Sequence, residues 1–492
     1  MTRLPFLPRQ RLSACSLLFA AAVPAAILAA RPASAQNEVP RVTGTYVIVG
    51  ATIIPAPGER IENGSLVIRD GLIEAIGANI DVPIDAARIE ADSLFVYPAF
   101  IDGLSHVGIP EPDDDDRPRP PDPGNPTFER AGIQPQLSAA TLIEADDASI
   151  TAHRNAGFAV AHVVPYGRML PGTSAVASLG EDGPSFLKRD LLMYAQLRGA
   201  GGAYPGTVVG VMAEFRQLYR EARRQQQWEA DYAENPGGIS HPPGEAVYEA
   251  FYPVIAGSRD VVFHVNSALE MQRVIRLKDD LGFAMTIAGA EQASEMISAL
   301  AAADLPVILT VKLPEDDKKA KRDSAAKDTT DQEAAARDTT EQEAAEPDSV
   351  DWNQFFIARS DGDVDDERAN LEARRALTRQ RYTETAAALE KAGVAFGFTG
   401  IDVKPTEVLP NIRKMVEAGL SEEAALAALT LNSARILGID RTTGTLERGK
   451  AANIVVADGP LFAKDTGIRF VFVDGQVTEL EVDEKKKNGN AD

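Results

Sequence analysis

Five histidines and a single cysteine set the catalytic chemistry open to this 492-residue chain. Cys15 lies in an opening segment where Arg3, Arg9 and Arg11 precede an apolar run from Ser13 to Ala30. The small-x-small pattern Ala33-Ser34-Ala35 follows, as in an export signal cut before Gln36. Pro24 interrupts the run, which argues against a retained membrane span. Once cut, the chain holds no thiol, so disulfides, thiolate metal sites and cysteine nucleophiles are excluded. Any metal must then be held by imidazole and carboxylate. Of the histidines, His162 sits in the strand-like run Phe158 to Val164, where packing in the interior is the ordinary role. His153 and His241 fall in a helical segment and a Pro-rich loop, and neither is assigned a role. Arg168 lies in the Gly- and Pro-containing stretch Tyr166 to Ser174, as a residue shaping a substrate pocket would. Its guanidinium can grip a carboxylate with two parallel hydrogen bonds; a surface arginine at a turn is the equal alternative. Asp113 to Asp116 is an acidic run, read more simply as a solvated face than as a cation site.

Composition narrows the class. Lys and Arg number 50 against 73 Asp and Glu, a formal charge of −23. Removing the signal takes away four arginines and no acid, which deepens the excess. Such a chain is repelled by nucleic-acid phosphates and by anionic membrane surfaces. With 44% hydrophobic and 25% charged residues it is an ordinary folded protein rather than a disordered one. The expected location is periplasmic or extracellular, and the expected partner is a small-molecule substrate.

The elements that would position these residues are legible as a pattern. Residues 42–97 read as short strands, with Asp70-Gly71 between two apolar runs as a hairpin signal. Ala452 to Ala457 and Ile468 to Val473, followed by Asp474-Gly475, repeat the style at the far end. Between them strand-like runs (Ala99 to Asp102, Phe158 to Val164, Val261 to Val265, Phe283 to Ile287, Val307 to Thr310, Val394 to Thr399) alternate with helical patterns such as Ala268 to Asp280. Alternation on this length predicts a parallel sheet closed into a (β/α)8 barrel of the TIM type. Residues 205–256 predict two long helices laid over it. The expected layout is a signal at 1–35, a composite β domain from 36–97 and 438–480 (a β-sandwich by what the resemblance described next implies), a barrel over 98–437, and a disordered tail at 481–492. Within the barrel, residues 315–350 contain a ten-residue duplication beginning at Asp328 and again at Asp338, with too little apolar bulk to pack a core.

At Val96-Tyr-Pro-Ala-Phe-Ile-Asp-Gly-Leu-Ser-His106 the sequence resembles the amidohydrolase superfamily, particularly its imidazolonepropionase-like branch. The stretches Gly444 to Val456, Val473-Asp-Gly475 and Leu420 to Leu437 are similar to that family's C-terminal half and last barrel helix. The resemblance implies hydrolysis of non-peptide C–N bonds, in cyclic or small amides, by water on Zn²⁺ or another divalent metal. It also implies ligands at strand ends, and these map incompletely. His106 keeps the second imidazole of the first strand's pair, while Leu104 replaces the first. His264 stands where the fifth strand's ligand belongs, and residues 288–290 carry Ala or Gly where the sixth strand's histidine is expected. Gly400 occupies the eighth strand's Asp position, with Asp402 two residues on as the substitute ligand or general base. Two functions follow from this degenerate set. One is an exported hydrolase with His106, His264 and Asp402 on one metal. The other is an inactive barrel that binds a small ligand or an active homologous subunit, as a homo- or hetero-oligomer with another amidohydrolase.

Overall fold

The computed structural model describes residues 44–112, 120–314 and 361–480. The N-terminal segment read as an export signal, Asp113 to Asp116, the duplicated insert and the tail lie outside them.

Three sheets carry the fold. The first has eight strands, and both ends of the described chain build it: β1 (Tyr46–Ile53), β2 (Ile61–Arg69), β3 (Leu72–Gly77), β4 (Ala87–Glu90) and β5 (Phe95–Pro98) join β16 (Ile454–Ala457), β17 (Ile468–Val473) and β18 (Gln476–Glu479). The seam is the antiparallel pair β5–β16, Tyr97 opposite Val455. Asp70-Gly71 and Asp474-Gly475 both turn their hairpins with positive φ at each residue, the geometry that makes Asp-Gly a hairpin signal. The two turns abut: a Cβ on Gly475 would lie 2.6 Å from the Cα of Gly71, so only glycine fits there. Ile48, Ile68, Val96, Ile454 and Phe472 fill the apolar core of this sheet. All eight strands belong to one hydrogen-bonded network, in which β4 branches from β1 beside β5.

The second sheet has β6 (Phe100–Ser105), β7 (Phe158–Val163), β9 (Ala175–Ser178) and β10 (Ser185–Lys188). The third runs β15 (Phe396–Thr399), β14 (Val307–Thr310), β13 (Met285–Gly289), β12 (Val261–Val265), β11 (Met193–Gln196), β8 (Gly172–Thr173). Strands β11 to β15 are parallel, and helices such as Ala268–Leu281 return the chain between them. Ser267 and Glu270 form a reciprocal capping box at the start of that helix, which fixes the exit from β12.

The ladders do not close into the expected eight-stranded parallel barrel. Two local features explain this. β8 and β9 are continuous in the chain but pair antiparallel with β11 and β7, one strand in each sheet. At the other edge, the β6–β7 register shifts between Asp102 and Ser105. There side chains rather than a main-chain ladder tie β6 to β15: the Asp102 carboxylate accepts from Gly400 N at 3.0 Å, and the Thr399 hydroxyl donates to the Leu104 carbonyl. Residues 205–256 hold one long helix, Val208–Glu234, and two short ones, not two long ones. Pro236, Pro242 and Pro243 explain the shortfall, since proline cannot donate to a helix interior.

Candidate functional site

The polar cavity of about 460 Å³ at the C-terminal ends of β6 and β15 includes His106, Tyr166, Asp147, His153, Asp402 and Lys404 among its walls. His106 follows directly on β6. Its Nδ1 lies 2.7 Å from the Val164 carbonyl, which can only accept, so Nδ1 carries the proton and Nε2 keeps its lone pair. The ring stacks on Tyr166 with centroids 3.9 Å apart and meets Tyr194 edge-on at 6.4 Å. Burial holds its pKa below the ordinary histidine value, against the opposing pull of the Val164 carbonyl and the Asp402 charge. His106 is therefore a neutral acceptor at pH 7. Asp402 is exposed, takes a left-handed φ of 59°, and lines the same cavity.

His264 does not join them as a wall of that cavity. Its Nδ1 lies 3.2 Å from the hydroxyl of Tyr194, and the two rings stack at 6.4 Å. Burial lowers its pKa to about 4, with Asp402 opposing and His106 reinforcing the shift. Tyr194 is fully buried among Leu104, Val164, Val262, Ala288, Ile308 and Ile401. This apolar cluster fills the interior where the resemblance implies a metal.

The positions that lack ligands also lack room for them. A Cβ on Gly289 (φ 87°) would lie 2.3 Å from Asn266 Oδ1 and 2.7 Å from His264 Cδ2. One on Gly400 would lie 3.0 Å from Asp102 Oδ2 and 3.2 Å from Val408 Cγ2. Leu104 is a core leucine, fully buried. Among the described residues, no three His, Cys, Asp or Glu side chains are placed to hold a metal ion. The expected set of His106, His264 and Asp402 is not brought together as one ligand group among the described residues. The residues present do not fit zinc or another divalent ion: one imidazole faces the cavity, the second is turned to a tyrosine, and hydrocarbon lies beneath both.

A second polar group was missed by sequence reasoning. Asp102 is fully buried, and its Oδ1 accepts from the backbone of Leu104 and Gly400. Its Oδ2 is 3.7 Å from His153 Nε2 and finds no hydrogen-bond partner among the described residues. His153 donates from Nδ1 to the Ser149 carbonyl at 2.8 Å. His162 is fully buried with its Nδ1 on the Gly103 carbonyl at 2.6 Å, and burial lowers its pKa to about 4. His162 thus has the interior role expected of it. The Asp-Gly-Leu-Ser-His segment was legible as a strand end, but nothing in it signals that Asp102 takes the bonding role at the seam. His241 lies against Tyr232, far along the chain from the cavity residues.

Arg168 is placed in a neighbouring cavity that shares Tyr166 and Glu111 with the first. Its Nη1 donates to the Gly199 carbonyl at 3.1 Å.

A mixed α/β fold with a polar cavity at strand C-termini defines a class whose chemistry is set by its loops. Residues 266–483 match the amidohydrolase family. Among solved structures, an amidohydrolase from Thermotoga maritima MSB8 aligns with a TM-score of 0.65 at 19% identity, covering 88% of this chain and 99% of that one. At that identity the likeness is one of fold. A prolidase complexed with n-methylphosphonate-L-proline aligns at a TM-score of 0.49 and 17% identity, over 89% of this chain and 100% of that one. That likeness is too distant to bear on activity. No curated protein matches the chain.

Proposed function

We propose that this chain is an amidohydrolase-type hydrolase of C–N bonds in small, non-peptide amides, with His106 as its general base in place of a metal centre. The observation that carries the reading is the pinned tautomer: Nδ1 is held by Val164, which leaves a neutral Nε2 acceptor in a ring that lines the cavity. In the proposed step Nε2 takes a proton from a water attacking the amide carbonyl carbon. The C–N bond then breaks, and the imidazolium returns that proton to the departing amine. Lys404, on the same cavity wall, supplies positive charge near the oxygen that becomes negative. Asp402 favours the imidazolium once it forms. A general base alone contributes roughly 10²- to 10⁴-fold, so turnover should be slow beside that of a metal hydrolase. Export by the N-terminal signal remains part of this reading.

A second reading is favoured by the apolar cluster around Leu104 and Tyr194. In it the cavity binds an amide ligand, or the chain pairs with an active homologous subunit, without hydrolysis.

One experiment separates them. Purified protein in excess chelator is offered a panel of small linear and cyclic amides, and amine release is followed beside ligand-induced change in Tm. The hydrolase reading expects turnover that persists in chelator and falls about 10²-fold or more in His106→Gln. Ligands that raise Tm with no amine released would overturn it in favour of binding.

A further inference from the structure

Behind the wall that carries His106 lies a carboxylate oxygen to which nothing donates. Asp102 is fully buried, and its Oδ2 finds no hydrogen-bond partner among the described residues, although Oδ1 accepts two backbone N–H groups. The nearest polar atom is also an acceptor. His153 Nε2 stands 3.7 Å from Oδ2, too far for a direct hydrogen bond. Its Nδ1 donates to the Ser149 carbonyl at 2.8 Å, so in the neutral ring Nε2 turns a lone pair toward the carboxylate. Ser105, at the end of β6, is 2% exposed, and its hydroxyl likewise has no partner among the described residues. Ser105, His153 and Gly400 are walls of the 460 Å³ cavity. Gly400 has no side chain to cover the orphaned oxygen: a Cβ there would lie 3.0 Å from Oδ2. Main-chain bonds brace the group from both sides. The Ser105 carbonyl accepts from Val164 N at 2.9 Å, and the Ser149 hydroxyl accepts from Gly108 N at 2.8 Å, which ties the helix Ala148–Asn155 to the loop after β6.

A buried carboxylate oxygen costs free energy until a donor meets it, and a charged donor offsets more than a neutral one. A water molecule supplies donors without charge. A divalent metal ion needs three or more strong ligands, and here only one carboxylate and one imidazole face each other. A primary ammonium carries one positive charge, three N–H donors and no lone pair. Asp102 Oδ2, His153 Nε2 and Ser105 Oγ offer one acceptor to each of those donors. We propose that this inner wall of the cavity is a primary-ammonium subsite, filled by free ammonium or by the –NH₃⁺ end of an amine ligand that extends toward His106. The subsite stands without the hydrolase reading above. Under that reading it holds the ammonium that a primary amide releases, or the amino end of the substrate.

The test needs no turnover, so its failure and that of the hydrolase reading are told apart. The full-length protein is titrated with ammonium, methylammonium, potassium and tetramethylammonium chlorides at constant ionic strength, and binding is followed as the rise in Tm with concentration. Ammonium, with or without methylammonium, is expected to stabilise the protein. Tetramethylammonium, which has the charge but no N–H, and potassium, which has no directed donors, are not. A response to ammonium alone identifies a free-ion site, and a response to methylammonium as well identifies the end of a larger amine. Asp102→Asn keeps both backbone bonds but turns an NH₂ toward the cation, and should abolish the response. Ser105→Ala removes one hydrogen bond to a charged group and should weaken the apparent affinity about 10-fold or more. Each variant is read against its own Tm without added cation, so a general loss of stability does not imitate lost binding. No rise specific to ammonium, an equal rise with potassium, or a rise that survives Asp102→Asn would each overturn the subsite.

Discussion

Asp102 occupies a position where one side chain replaces a stretch of ladder. Its Oδ1 accepts two backbone N–H groups, one from Leu104 on its own strand and one from Gly400 across the edge where β6 and β15 meet without pairing. Removing a buried acceptor strands its donors, and each stranded group costs about 1–3 kcal/mol. Asp102→Ala should therefore destabilise the protein by about 2–5 kcal/mol. Asp102→Asn should cost much less, because its carbonyl keeps both backbone bonds. Urea denaturation of the two variants checks the order. Equal losses would mean that the negative charge, not the acceptor geometry, holds the seam. His106, in contrast, was readable from the sequence as a strand-end imidazole, since the motif that contains it fixes its place in the fold. What could not be read was which way its second nitrogen faces. That depends on the Val164 carbonyl, which lies 58 residues away.

At the scale of elements, the strand ends explain why a metal set cannot be rebuilt by simple replacement. β13 ends at Gly289 with a positive φ, and His264 and Asn266 already occupy the volume a side chain would need. Gly289→Ala should cost at least 2–3 kcal/mol, the sum of a disfavoured backbone region and an overpacked interior. Thermal unfolding checks this, and a loss under about 1 kcal/mol would show that β12 and β13 yield where the packing says they do not. Gly289→His should fail to fold rather than gain metal. Strand positions were legible wherever apolar runs were bounded: Val261–Val265 and Val307–Thr310 coincide with their sequence patterns. The segment 172–196 was not legible, because β8 to β11 are short, two to four residues each, and run antiparallel to their neighbours at β7–β9, β9–β10 and β8–β11. Those reversals interrupt the parallel order that alternation alone had implied. The cavity that Arg168 lines was hidden for a similar reason. Arg130 and Arg168, 38 residues apart, both bond carbonyls of the turn at Gly199 to Gly201.

At the scale of the whole molecule, buried imidazoles make stability depend on pH. His162 and His264 are each brought to about pKa 4 by burial, from an unfolded value near 6.5. For a base whose folded pKa is depressed, the unfolded chain binds more protons as pH falls below 6.5. Stability is therefore full above that pH and is lost progressively between 6.5 and about 4. For His162 alone this removes about 2 kcal/mol between pH 7.5 and pH 5.0. His162→Asn retains a donor toward the Gly103 carbonyl but cannot titrate in that range. The variant should start less stable at pH 7.5, because the ring's packing is gone, yet lose about 2 kcal/mol less than the parent on going to pH 5.0. Urea midpoints at the two pH values give the comparison directly. Parallel losses in parent and variant would mean that His162 binds its proton in the folded state as readily as in the unfolded one. Its burial between β6 and the rest of the sheet would then have to open to water at pH 5.0, and with it the wall that holds Gly103, Leu104 and the His106 ring in place.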